Sequence, residues 1–191
     1  FIAVGADPWE QGAIVGRMRT SLYGRDVELL GGRFRERGFG GIAWEGEIGR
    51  FAIWGELGLF ERKPDEEPVF AGWSKAAFSG IAGTEVDIPL DFRAGAAVMY
   101  QDFGAREPED LPLVYAGAPV REGWMFLGSA GYMVLTLSRR LHPLITSGFS
   151  GLVNVTDASM LWQPQVTFST GENSDLSLYG WLSSGPGPRS A

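Results

Sequence analysis

A period of two, recurring from one end of the chain to the other, constrains its fold more than any other feature. In Ala158–Thr170, ASMLWQPQVTFST, one alternate series is Met160, Trp162, Pro164, Val166 and Phe168, and the other is Ser159, Leu161, Gln163, Gln165, Thr167 and Ser169. Successive side chains of an extended strand point to opposite faces, so this segment predicts a strand with one apolar and one polar face. The period alone leaves open whether the apolar face meets a protein core or lipid. Comparable segments lie near 1–6, 12–22, 27–37, 39–48, 51–60, 70–84, 90–102, 124–138, 144–155, 158–170 and 175–184. The expectation is an all-β single domain over 1–191 with about eleven strands and no helix.

The connections alternate in kind. Tyr23–Asp26, Ile48–Arg50, Val86–Asp91, Arg139–Pro143 and Gly171–Ser174 read as tight turns, with Gly, Pro or Asn at hand for turn geometry. Between them fall the longer Glu61–Pro68 and Phe103–Gly123, and the short Arg37–Gly38 and Asn154–Asp157. An up-and-down order puts all the tight turns at one end of the sheet and the long connections at the other. Pro108, Pro112 and Pro119 oppose strand pairing in the longest connection, which is expected to be an external loop.

Composition narrows the solvent. Glycine, 28 of 191 residues, is about twice its usual frequency. No apolar run reaches the roughly 20 residues of a membrane-spanning helix. A net charge of -7 argues against a nucleic-acid partner, which requires clustered cations. The absence of cysteine removes disulfides and thiolate metal sites. Strands of about ten residues with short turns on one rim and long loops on the other are the pattern of transmembrane β-barrels.

His142–Thr170 followed by Asp175-Leu-Ser-Leu-Tyr-Gly, and Asp26–Arg37 with Glu45–Glu56 after it, resemble hairpins of bacterial outer-membrane porin-like barrels. The resemblance is one of pattern over most of the chain. It implies an antiparallel up-and-down transmembrane β-barrel in the outer membrane and passage of a small solute. The partners it implies are outer-membrane lipid, lipopolysaccharide and other outer-membrane proteins. Two features depart from it: the chain ends Gly185-Pro-Gly-Pro-Arg-Ser-Ala191 rather than on an aromatic strand, and eleven is an odd number. Both lead to the expectation of a barrel of twelve or more strands, incomplete at both ends here.

On that reading lipid takes Phe51, Ile53, Leu57, Phe92, Val98, Trp162, Val166 and Phe168. The lumen takes Arg17, Arg19, Arg33, Arg35, Glu45, Glu47, Glu56, Arg93, Gln163 and Gln165. In the third strand this sets Leu30 and Phe34 against Arg33 and Arg35. Trp44, Trp54, Trp124, Trp162, Tyr100 and Trp181 are candidates for interfacial aromatic girdles. The lumen charges are expected to be segregated, arginines on one wall and glutamates on the next, with Arg33 or Arg35 pairing Glu45 or Glu47 across the ladder.

No constellation for catalysis emerges. His142, the single histidine, sits in a tight turn near Ser138 without an orienting carboxylate. Asp102, Glu107, Glu109 and Asp110, like Glu61, Asp65, Glu66 and Glu67, read as solvated acidic loops without cation-site spacing. Gly31-Gly32 and Gly38-Phe-Gly-Gly41 precede no helix, so they do not form a nucleotide loop. No enzyme activity, cofactor or metal is expected. Three function classes follow: a passive channel for small solutes, a non-conducting structural or interaction barrel, and a soluble carbohydrate-binding β-protein.

Overall fold

The alternating segments form one antiparallel sheet in chain order, in a computed structural model that describes residues 2–4, 13–34, 37–61, 76–121 and 126–186. The strands are β1 (Ile2–Val4), β2 (Ala13–Leu22), β3 (Arg25–Phe34), β4 (Arg37–Ile48), β5 (Phe51–Glu61), β6 (Ala76–Ile88), β7 (Phe92–Gln101), β8 (Gly131–His142), β9 (Ile145–Asn154), β10 (Met160–Gly171), β11 (Ser174–Tyr179) and β12 (Leu182–Ser184). Each pairs with its sequence neighbour, and β11 and β12 both pair with β10. Their registers are continuous, Gln165 opposite Tyr179 and Trp162 opposite Leu182. They are therefore one strand, interrupted where it passes Pro164, which has no N–H to give to the ladder. Gly180 N still donates to Pro164 O at 3.2 Å. The sheet thus has the eleven strands that the alternation predicts. Among the described residues β1 and the β11–β12 strand are its edges.

The five tight turns lie together at one end, as expected. Tyr23 and Gly24 both take left-handed backbone, φ 53° and 74°, the geometry of a two-residue hairpin turn that follows the twist of its strands. Two strands are displaced from the prediction. β6 runs to Ile88 because the alternation continues through Thr84-Glu-Val-Asp-Ile88, and the turn falls at Pro89–Asp91, with Leu90 and Asp91 left-handed at φ 71° and 60°. β8 starts at Gly131 because the backbone before it is bonded elsewhere: Ala105 N donates to Gly128 O and Ala130 N to Ala105 O, each at 2.8 Å.

The absence of helix is overturned. The connection from β7 to β8 contains a 3₁₀ turn at Pro108–Asp110 and two short helices, α1 (Leu111–Ala116) and α2 (Ala118–Arg121). The prolines that exclude a strand are accommodated at helix starts, where their missing N–H has no partner to lose. Glu109 and Asp110 precede α1, where carboxylates favour the positive end of the helix dipole. Val114 and Ala105 are buried together, packed by Phe103, Leu111 and Val120.

Several glycines are explained by the ring across the ladder. Trp44 stands opposite Gly55, Trp54 opposite Gly83 and Trp162 opposite Gly151. A Cβ on these glycines would lie 2.2, 2.6 and 2.2 Å from an indole carbon. Each ring lies flat on bare backbone, where any side chain would displace it.

Candidate functional site

Residues directly opposite in an antiparallel ladder share a face, so the registers carry one face around the sheet without ambiguity. From Arg17 the face runs through Leu30, Gly41, Gly58, Ser79 and Gln101. From Met99 of the same face it continues through Tyr132, Asn154 and, one pair further, Leu152 to Leu161. Arg17, Arg19, Glu45, Glu47, Glu56, Arg93, Gln163 and Gln165 all lie on it. Phe51, Ile53, Leu57, Phe92, Val98, Trp162, Val166 and Phe168 all lie on the other, apolar face.

Arg33 is the exception among the described candidates. It stands opposite Ile14 and Gly38 on the apolar face, and Leu30 is on the polar one. The mixed composition of β3, Arg25-Asp-Val-Glu-Leu-Leu-Gly-Gly-Arg33, gives no clean alternation, and only pairing with β2 and β4 fixes its register. Arg35 and Trp124 lie outside the described residues, as do 62–75. Among the girdle candidates Trp44, Tyr100 and Trp162 are on the apolar face, whereas the pleat places Trp54 on the polar one.

The expected segregation of charge is also corrected. Arg17 makes a bidentate pair with Glu28, Nε to Oε1 at 2.5 Å and Nη2 to Oε2 at 2.6 Å. Arg19 reaches Asp26 at 2.5 Å, and the Ser21 hydroxyl donates to the same carboxylate. Arg93 holds Asp87, directly opposite, through Nε at 2.8 Å. The basic strand is thus answered by acids on its immediate neighbour, and Arg33 is too far around the pleat to meet Glu45, which stands opposite Asp26 and Trp54. These ion pairs are exposed, and each contributes less than about 1 kcal/mol to stability. Glu47 and Glu56 have no hydrogen-bonded or ionic partner among the described residues, whereas Glu45 and Glu85 lie within electrostatic reach of Arg19 and Arg93 without a direct ion pair.

In the described strands the polar face carries eight carboxylates, Asp26, Glu28, Glu45, Glu47, Glu56, Glu85, Asp87 and Asp175, against five guanidinium groups, Arg17, Arg19, Arg37, Arg93 and Arg140. It is therefore net acidic. Around β9 to β11 it becomes hydroxyl-rich, with Asp175 its one charged strand residue: Ser169 Oγ donates to Asp175 at 2.8 Å, and the Thr167 and Ser177 hydroxyls bond at 3.0 Å.

The β7–β8 connection covers one end of this face. Gln101, 3% exposed, donates from Nε2 to the carbonyls of Leu127 at 2.5 Å and Ser129 at 2.7 Å. The buried Tyr132 hydroxyl accepts from Ser129 N at 2.8 Å, and Thr156 Oγ1 donates to Ala105 O at 3.0 Å. Gln101 and Tyr132 are polar-face residues, as are the buried Ala77, Ala97 and Asn154. The connection expected as an external loop packs against the polar-face residues at this end of β7 and β8. Asp102, counted among its solvated acids, closes the strand end by accepting from Phe78 N at 3.1 Å and Tyr100 Oη at 2.9 Å. Gln101 and Tyr132 carry no motif. The legible signal for the inward element was the Pro and acidic residues ahead of Leu111-Pro-Leu-Val-Tyr-Ala116, which mark a helix start. His142 sits in its turn, Nδ1 accepting from Leu144 N at 3.3 Å.

Comparison with protein-family models, curated proteins and solved structures finds no match.

Proposed function

We propose that the chain forms the wall of a bacterial outer-membrane β-barrel whose polar face bounds a passive channel for small solutes. The observation that carries this reading is that the apolar face is the uncovered one. Met18, Leu59, Val98, Leu176 and Leu178, all on that face, are between 52% and 60% exposed. The buried strand residues other than glycine, Arg37, Ala77, Ala97, Gln101, Tyr132 and Asn154, belong to the polar face. A water-soluble sandwich or lipocalin-like barrel has the reverse arrangement, its apolar face packed inside, and soluble monomers rarely leave such a surface bare. That weighs against a soluble carbohydrate-binding protein.

The height of the apolar surface is in proportion. The charged strand residues on that face are Arg25, Arg33, Glu61 and Arg139, all near strand ends. Arg25 and Arg33 are eight residues apart on one strand, about 27 Å at ~3.4 Å per residue. A tilt of about 35–45° reduces this to roughly 19–22 Å, and the long arginine side chains extend it toward the ~25 Å band of such barrels. The surroundings on this reading are lipid and lipopolysaccharide.

The inward connection favours a second reading, a barrel plugged at one end that conducts nothing and serves an assembly. The test has two steps. The full chain should require detergent and float with liposomes, and a monodisperse protein in plain buffer rejects the barrel. Inserted in a planar bilayer it should give discrete conductance steps. Insertion without conductance selects the plugged barrel.

A further inference from the structure

The polar face is not polar throughout. Under the ends of β3 to β7 that lead to the long connections lies a hollow of about 550 Å³, and its walls on this face include Leu30, Phe39, Phe60, Ile81 and Met99. Its floor is low because Gly41 and Gly58, directly opposite each other, present no side chain. Toward the tight-turn end the hollow meets Glu28, Ala43 and Glu56. The same three residues border a second hollow of about 340 Å³ that also contains Arg17, Arg19, Asp26 and Glu45. An apolar chamber therefore opens directly onto carboxylates. The two carboxylates at the junction differ: Glu28 is neutralised by Arg17, and Glu56 has no partner among the described residues.

We propose that this hollow is a binding site for small amphipathic cations, an aromatic or short alkyl body carrying one ammonium group. The body would lie among Leu30, Phe39, Phe60 and Met99, and the ammonium would meet the free carboxylate of Glu56. An anion of the same body would face Glu56 and Glu45 without a free guanidinium, since Arg17 and Arg19 are engaged by Glu28 and Asp26. An uncharged polar solute would leave the apolar wall without a partner. Ligand sites combine an apolar lining with a few placed polar groups in this way. The proposal names the solute class of the channel reading, and rests on that reading only for the route by which the solute arrives.

The test is calorimetric titration of the full chain in nonionic detergent with phenethylammonium, 2-phenylethanol and 3-phenylpropionate, which share a body and differ in charge. The expected order is cation tightest and anion weakest. Glu56→Gln should weaken phenethylammonium roughly three- to tenfold, leaving 2-phenylethanol unchanged. Ala43→Phe, which fills the hollow beside Glu56, should weaken both. Equal affinity for the three probes, or no response to both variants when each runs as a folded protein on gels, overturns the site. Loss of conductance with retained phenethylammonium binding would instead remove the channel reading and leave the site standing.

Discussion

Trp162 lies face-down on Gly151 across the β9–β10 ladder, and the neighbouring Phe149 stacks on it with ring centroids 5.3 Å apart. The indole is thereby held against bare backbone on the apolar face. Gly151→Val must lift the ring and break the stack, at a cost of about 1–3 kcal/mol typical of overpacking. Gly180→Ala, where a Cβ would meet nothing within 4 Å, serves as the control. Urea unfolding of the two variants in detergent, followed by Trp fluorescence, should separate them, and equal midpoints would contradict the packing.

Val166 and Gln165 are adjacent in β10 on opposite faces. Val166→Arg should impair insertion into liposomes, since a cation on the lipid side near the midplane costs about 2–4 kcal/mol, while Gln165→Arg is tolerated. Equal folding yields would reject the assignment of the two faces to lipid and water.

Tyr132 supplies the acceptor for the buried Ser129 N–H. Tyr132→Phe leaves that donor unsatisfied at a cost of about 1–3 kcal/mol, which should loosen the inward connection without unfolding the sheet. Trypsin should then cut faster at the exposed Arg106 and Arg121. An unchanged cleavage rate would mean that the tyrosine does not hold the connection down.

The acidic excess of the polar face predicts a cation-preferring channel. Glu45→Gln with Glu47→Gln should lower the cation-to-anion permeability ratio, roughly twofold for two wall charges in a water-filled pore. Arg33→Gln, on the opposite face, should leave the reversal potential where it was. A shift caused by Arg33 would place it on the water side after all.

Alternation by itself determined that the chain is all-β, that it has eleven strands in up-and-down order, and which face most of them turn each way. The apolar faces of β5, β7 and β10 carry no charge short of the strand ends, so a one-residue slip would carry Glu56, Arg93 or Gln163 into them, and the register is therefore written in the sequence. β3 is not written so. Its charges fall on both parities, and Arg33 and Leu30 take their faces from hydrogen bonding to β2 and β4. The tertiary structure alone decided three further things. Arg17 and Arg19 find Glu28 and Asp26 because antiparallel pairing brings strand neighbours together diagonally, which no local spacing announces. The apolar hollow beside Glu56 is assembled from residues of five strands. The β7–β8 connection turns onto the polar face because Gln101 and Tyr132, thirty-one residues apart in sequence, close on the same backbone segment. Local periodicity sees two neighbours along the chain, and these arrangements depend on neighbours across it.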